Sequence, residues 1–203
     1  MRPNPWQDAG HFLGQPGWFT VVFWLLLAGS IVLAILAWRA DPAQRTPRAA
    51  GLWLLRALTG TMWWQQSLWK IPPNFDGLRY WMQQEVAHAA IPLQSALVAN
   101  IVLPNLNFLF GPLVYLIEVA IGVSLLLGLL SRLGALLGVL MAINLWLGLY
   151  SAPGEWPWTY MFLLIIQLLF LIDPPGRELG ADALLWGRAR HRTRNFSLLW
   201  WIA

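Results

Sequence analysis

One carboxylate, Glu118, lies inside residues 112–132, an apolar run that is long enough to cross a lipid bilayer. A helix rises about 1.5 Å per residue and the hydrocarbon core is roughly 30 Å thick, so a helix that begins near Phe108 places Glu118 close to the bilayer midplane. An ionised carboxylate at that depth costs at least about 2.5 kcal/mol unless it is paired or protonated. Glu118 therefore predicts a charged or polar partner, or a proton-exchange site, inside a helix bundle.

One basic residue on a neighbouring segment, Arg56, is a candidate to face this carboxylate. Side chains at helical spacing in residues 52–70 share one face, which carries Arg56, Gly60, Trp63, Ser67 and Lys70. Arg56 lies about 7 Å inside the cytoplasmic boundary of this helix, so an Arg56–Glu118 ion pair is within side-chain reach. The alternative is that Arg56 extends along the helix to the cytoplasmic headgroups.

Two amide side chains, Asn144 and Gln167, also lie near mid-depth of apolar segments. Together with Glu118 they predict one polar layer, which is either a structural hydrogen-bond network or a site for a proton or a quinone headgroup. The chain has no Cys and only three His, none of them at ligand spacing, so no metal site and no thiol chemistry is predicted.

The composition is that of an integral membrane protein, with 58% hydrophobic and 11% charged residues among 203 and a mean hydropathy of +0.56. The 15 Trp residues are typical of interfacial belts, and they also suit contact with flat aromatic ligands or pigments. The net charge of +4 comes from Arg residues that cluster beside apolar segments. We interpret them as determinants of membrane topology rather than as a nucleic-acid surface.

The elements that must position these residues are five transmembrane helices, predicted at residues 18–38, 52–70, 108–130, 133–150 and 159–172. The polar segment before the first helix is expected to be an arm. Residues 74–105 mix charged and apolar side chains, which predicts a helix at the membrane surface, and residues 91–104 are too short to span and predict an interfacial or re-entrant piece.

The chain therefore divides into three parts. Residues 1–50 form an arm, the first transmembrane helix and a basic cytoplasmic loop, and residues 51–185 form a four-helix membrane module with a periplasmic segment at 71–105. Residues 186–203 form a basic, Trp-rich tail. The distribution of Lys and Arg places the N-terminus outside and the C-terminus in the cytoplasm, which predicts a multi-pass protein of a bacterial inner membrane.

Three short stretches, LLRALTG with LWKIPP, YLIEVAIGVSLLLGLLSRLGALLG, and DPPGRELGADALL, resemble the DoxX/DoxD-like membrane proteins, which include the membrane subunit of thiosulfate:quinone oxidoreductase. The resemblance covers residues 55–185 and implies a four-helix module, here preceded by one additional helix. The family pattern carries onto Arg56, Lys70, Glu118, Gly122, Arg132 and Asp182.

The residues and the resemblance together lead to two function hypotheses. In the first, the chain is a non-catalytic accessory subunit of a respiratory or photosynthetic electron-transfer complex, and its Trp-rich faces and FSLLWWIA tail contact other subunits, lipid or pigment. In the alternative, the chain is a subunit of a quinone-reducing oxidoreductase that docks a periplasmic electron donor. Glu118 and Arg56 would then handle protons beside a quinone pocket that is lined by Trp63, Trp64, Gln66, Trp69 and Lys70.

Overall fold

A computed structural model describes residues 4–189 of the chain, and every regular element among them is helical. In chain order the helices are α1 (Pro5–Gly14), α2 (Trp18–Ala40), α3 (Pro47–Ser67), α4 (Asp76–His88), α5 (Pro92–Leu127), α6 (Ser131–Gly148), α7 (Pro157–Ile172) and α8 (Ala181–Ala189). The protein is therefore an all-α membrane protein, as predicted. The Trp-rich end of the tail lies outside the described residues.

Within the described part of the chain, three helices are long and apolar enough to cross a bilayer, namely α2, α5 and α6. The shorter α7 is the most apolar of the remaining helices and is a fourth candidate. α3 has 21 residues, but it carries Arg48 and Arg56 and is not among the candidates. The predicted number of five spans therefore stays a prediction, whereas the multi-pass helical class is confirmed.

α3 packs along α5, and two glycines allow the backbones to approach closely. A Cβ atom on Gly60 would lie 2.8 Å from the backbone nitrogen of Leu126, and one on Gly122 would lie 3.1 Å from that of Trp64. Small residues at a crossing let two membrane helices gain close packing contacts. The predicted face of α3 is buried in this contact, with Arg56, Trp63, Ser67 and Lys70 all at most 5% exposed.

The structure corrects the expectation that residues 91–104 form a separate re-entrant piece, because α5 runs without a break from Pro92 to Leu127. Pro104 has no N–H to donate to the preceding turn, and π-helical turns at Val98–Val102 and Leu106–Phe110 flank it. The Asn105 side chain donates a hydrogen bond to the carbonyl of Ile101 in this irregular region. Helical hydrogen bonding therefore continues through the proline in widened turns.

A tight turn at residues 128–130 joins α5 to α6, and Gly128 in it has φ of +63°. The segment after α7 folds back onto this turn. Both carboxylate oxygens of Asp182 accept hydrogen bonds from backbone N–H groups, Oδ1 from Leu130 at 2.7 Å and Oδ2 from Ser131 at 2.9 Å. Asp182 therefore caps the N-terminus of α6 from a distant part of the chain.

The predicted N-terminal arm contains the helix α1. The Asn4 side chain accepts a hydrogen bond from the backbone N–H of Trp6 and starts this helix. Phe12 of α1 packs edge-on against Phe23 of α2, with 5.3 Å between the ring centroids. The arm is thus attached to the end of α2 that lies nearest the start of the chain.

The close approach of α3 and α5 gives a testable prediction. Gly60→Ala should lower the free energy of unfolding by about 1–3 kcal/mol, because the new methyl group meets backbone atoms that cannot move independently. The measurement is thermal unfolding of the purified protein in detergent. Gly51→Ala on the same helix is the matched control. A Cβ there meets nothing within 4 Å, so this control should be neutral or slightly stabilising. Equal stability of the two variants would contradict the packing described here.

Candidate functional site

A cavity of about 850 Å³ lies among the C-terminal end of α3, α4, α5, the second half of α6 and the first half of α7. Three tryptophans, Trp63, Trp69 and Trp81, contribute aromatic surface to its walls. The volume is typical of small-molecule sites, which are mostly apolar and contain few polar groups. In residues 4–189 no three His, Asp or Glu side chains come together as metal ligands.

The mouth of the cavity lies on the lateral surface of the helix bundle. Several apolar side chains both line the cavity and are at least 37% exposed, and they come from α3, α5, α6 and α7: Met62, Leu113, Leu140, Phe162 and Ile166. Exposed apolar side chains on membrane helices face the acyl chains of the lipid. The cavity therefore opens among apolar side chains of the bundle surface.

The sharpest polar feature of the cavity is an ion pair between Lys70 and Glu118. The ammonium group of Lys70 lies 2.5 Å from Oε1 and 2.6 Å from Oε2 of Glu118, and the two side chains are only 6% and 3% exposed. Lys70 also donates to the carbonyl of Gln66 and lies 4.2 Å from the centre of the Trp69 ring. The pair satisfies both charges in an apolar setting.

The predicted ion pair between Arg56 and Glu118 is wrong, because Lys70 occupies the position beside Glu118. Arg56 donates hydrogen bonds to the carbonyls of Leu125 and Leu126, at 2.6 and 2.9 Å, and lies beside Gly128. α3 and α5 are antiparallel, and Glu118 is ten residues, or about 15 Å of helical rise, from the level of Gly128. Arg56 is therefore too far from Glu118, and the cation at the opposite end of α3 takes its place.

Arg56 belongs to a second polar cluster at the other end of the bundle. Its guanidinium is fully buried and also donates to the carbonyl of Leu179, beside the backbone that Asp182 caps. The hydroxyl of Ser131 accepts the N–H of Gly176 in the same cluster. Burial raises the pKa of Asp182, although its hydrogen bonds and Arg56 oppose the change. The cluster anchors the chain after α7 and leaves Arg56 no proton-handling role beside Glu118.

A second buried acid in the cavity wall, Glu85 of α4, was not among the predicted site residues. It is 1% exposed, and its carboxylate accepts hydrogen bonds from the amides of Gln94 and Asn144. Burial raises the pKa of Glu85 to about 7, because the two hydrogen bonds compensate only part of the lost solvation. The available sequence signal was its spacing, since Glu85 shares the apolar face of α4 with Leu78 and Met82.

The predicted polar layer of Glu118, Asn144 and Gln167 does not form one network. Asn144 is bonded to Glu85 and Gln94, whereas Gln167 packs against Gly138 and has no hydrogen-bond partner within residues 4–189. The positions of two glycines on α6 explain why the network is divided. Gly138 and Gly148 each leave space for a polar side chain of a different element, and these side chains do not meet.

Four of the five residues predicted to form an aromatic pocket line the cavity, namely Trp63, Gln66, Trp69 and Lys70. Trp64 does not line the cavity, so its predicted place in the pocket is wrong. It packs with Phe23 and Leu126, away from the cavity. Consecutive helical residues differ by about 100° around the axis, and this step turns Trp64 from the cavity side of α3 toward α2.

Comparison with known proteins adds one finding to this geometry. A family model described as "TQO small subunit DoxD" matches residues 77–203, which is more than half of the chain. No curated protein and no solved structure matches the chain.

The buried pair gives a second prediction. Lys70→Met should destabilise the protein by about 3–5 kcal/mol, because it leaves the Glu118 carboxylate buried without a cation. The double variant Lys70→Met with Glu118→Leu should recover most of this loss, since both charges are then absent. Thermal unfolding in detergent measures both variants. Arg48→Met is the control. The Arg48 side chain pairs with Asp173 and Glu178 but is 58% exposed, so its ion pairs should contribute only about 0–1 kcal/mol to stability.

A third prediction concerns the cap on α6. Asp182→Ala should cost about 1–3 kcal/mol of unfolding free energy, because two buried N–H groups lose their acceptor. Asp173→Ala tests an acid of the same segment whose side chain is 57% exposed, and it should cost less than about 1 kcal/mol. A loss of equal size in both variants, measured by thermal unfolding, would show that the cap contributes little.

Proposed function

The chain belongs to the DoxD family, and we propose on that premise that it is the small membrane subunit of a quinone oxidoreductase and itself binds the quinone headgroup. The observation that carries this proposal is the aromatic cavity whose mouth opens on the lipid-facing surface. A quinone has a flat polar headgroup and a long apolar tail. The headgroup would lie in the cavity, and the tail would extend through the mouth between α5, α6 and α7 into the acyl chains.

The lining provides the contacts that such a headgroup needs. Tryptophan rings offer flat surfaces for stacking, and the two quinone carbonyls require hydrogen-bond donors. The indole N–H of Trp63 is buried and has no acceptor in the described part of the chain. Lys70 keeps ammonium protons close to the cavity beside its pair with Glu118. An acceptor oxygen from the ligand would satisfy the Trp63 donor.

The charges of the lining favour a neutral ligand over an oxyanion. The lining contains one cation, Lys70, which is already paired, and three acids, Glu85, Glu118 and Glu155. An anion such as thiosulfate would meet net negative charge in a low-dielectric site. We therefore assign the oxidation of an anionic electron donor to a partner subunit. A bound quinone supplies the electron acceptor, and this chain holds it at the membrane.

The orientation of the subunit is part of the proposal. The end of the bundle where Arg56 lies includes the end of α2, the start of α3, the start of α6 and the segment before α8, and it carries the basic residues Arg39, Arg45, Arg48, Arg132 and Arg177. Positive residues favour the cytoplasmic side. The cavity would therefore lie toward the periplasmic half of an inner membrane, within reach of a periplasmic electron donor.

The second candidate function is an accessory subunit without a ligand of its own. It is supported by the large exposed apolar faces of α2 and α3, which offer contact surfaces to other membrane subunits and include Trp18, Trp24, Trp38, Leu54 and Leu58. The two candidates differ in what the isolated chain does. Only the first requires saturable binding of a quinone in the cavity.

The fourth prediction tests quinone binding. Val114→Phe adds volume inside the cavity one turn from Glu118, so the affinity for an oxidised decyl-substituted benzoquinone should fall at least about tenfold. Leu116→Phe is the matched control on the same helix. Leu116 is 60% exposed and does not line the cavity, so the affinity should not change. Calorimetric titration of the purified protein measures both variants. Unsaturable binding to the unmodified protein would favour the accessory function.

A further inference from the structure

Glu85 is the polar group of the cavity that the paired charges do not explain. It lies on the apolar face of α4 and reaches between α5 and α6, where Gly148 leaves it room. A Cβ atom on Gly148 would lie only 2.6 Å from the carboxyl carbon of Glu85. The side chain is 1% exposed and lines the same cavity as the Lys70–Glu118 pair. The fold thus accommodates an acid where an apolar side chain would be the simpler choice.

The partners of Glu85 are hydrogen-bond donors. Nε2 of Gln94 donates to Oε2 at 3.3 Å, and Nδ2 of Asn144 donates to Oε1 at 3.4 Å. Oδ1 of Asn144 accepts a hydrogen bond from Nε2 of Gln94 at 2.8 Å. A protonated Glu85 therefore has a hydroxyl whose two amide neighbours present N–H groups to it. Neither of these two contacts offers that hydroxyl an acceptor, so a ligand oxygen in the cavity can accept its proton.

The charged and titratable groups around Glu85 form ion pairs or hydrogen bonds with one another and not with Glu85. Lys70 after α3 is paired with Glu118 of α5, and the hydroxyl of Tyr160 in α7 donates to Glu155. The side chains that contact Glu85 from α6 and from the start of α5 are the uncharged Asn144 and Gln94. The next titratable residue along α4 is His88. No salt bridge to Glu85 occurs within residues 4–189, so no cation holds it ionised.

We propose that Glu85 binds the quinone in its protonated form and donates a hydrogen bond to one headgroup carbonyl, with Gln94 and Asn144 as positioning residues that hold its carboxyl group. This inference rests on the proposed function. It identifies the chemistry that the cavity recognises as a neutral ligand with a strong acceptor oxygen. It also separates two roles in the lining, because Lys70 and Glu118 satisfy each other while Glu85 is free to donate.

The sign of the pH dependence follows from the protonation state. Burial raises the pKa of Glu85 to about 7, so the donor is present below that pH and is lost above it. An oxidised benzoquinone does not titrate in this range. If only the protonated form binds, the affinity should be about 30-fold weaker at pH 8.5 than at pH 6.

The experiment is calorimetric titration of an oxidised decyl-substituted benzoquinone into the purified protein between pH 6 and pH 8.5. The unmodified protein should lose affinity as the pH rises, whereas Glu85→Gln should bind equally at both ends, because its amide donates at every pH. Asp76→Asn, an exposed acid on the same helix, is the control and should keep the pH dependence of the unmodified protein. A pH dependence that survives in Glu85→Gln would overturn the role of Glu85 and leave the proposed function intact.

Two further measurements keep the inference falsifiable if Glu85→Gln does not fold. Asn144→Leu removes a donor that stabilises the ionised form, so the pH at which affinity falls should move upward. Infrared difference spectra of the unmodified protein should show a protonated carboxyl band that shifts when the quinone is added at pH 6. An unmoved midpoint or an unshifted band would reject the proposed hydrogen bond. Absence of quinone binding at every pH would instead reject the proposed function, and this inference with it.

Discussion

The constraint on which the rest of the structure depends is the burial of Lys70 and Glu118 in an apolar helix bundle. Neither charge is stable there alone, and removal of either partner leaves the other without compensation. The two side chains meet only if α3 and α5 are antiparallel and close, which Gly60 and Gly122 permit. The ion pair thus specifies the register of two helices, and this register determines how the α3 and α5 residues of the cavity lie relative to one another.

The two ends of the bundle deal with buried polar groups in different ways. At one end, Arg56 and Asp182 are bonded to backbone atoms of the α5–α6 turn and of the segment after α7. This end is closed, and its polar groups stabilise the fold. At the other end a cavity remains, and the buried indole N–H of Trp63 in its wall has no acceptor in the described chain. The Nε of Arg56 also lacks a partner, but Arg56 does not line the cavity. A donor without a partner in the wall of a cavity is therefore the physical basis for assigning ligand binding to that end.

Much of the fold could be predicted because the signals are local. Apolar length and low charge indicate membrane helices, and Gly128 marks the turn between α5 and α6. The continuity of α5 was not predictable in this way, because a proline normally predicts a break. Pro104 is accommodated instead by widened turns, and these turns pack against α4 through Val98 and Leu106. That packing is a tertiary contact, which the local sequence does not specify.

The sequence by itself determined that a carboxylate lies deep in an apolar helix, and that aromatic and basic residues share one face of another helix. Tertiary structure decided which cation meets Glu118, because the antiparallel register brings Lys70 to it and leaves Arg56 at the other end. It also decided that Glu85 faces the cavity. The physical reason is that helical periodicity specifies the face on which a residue lies, whereas the partner of that face depends on the relative shift of two packed helices.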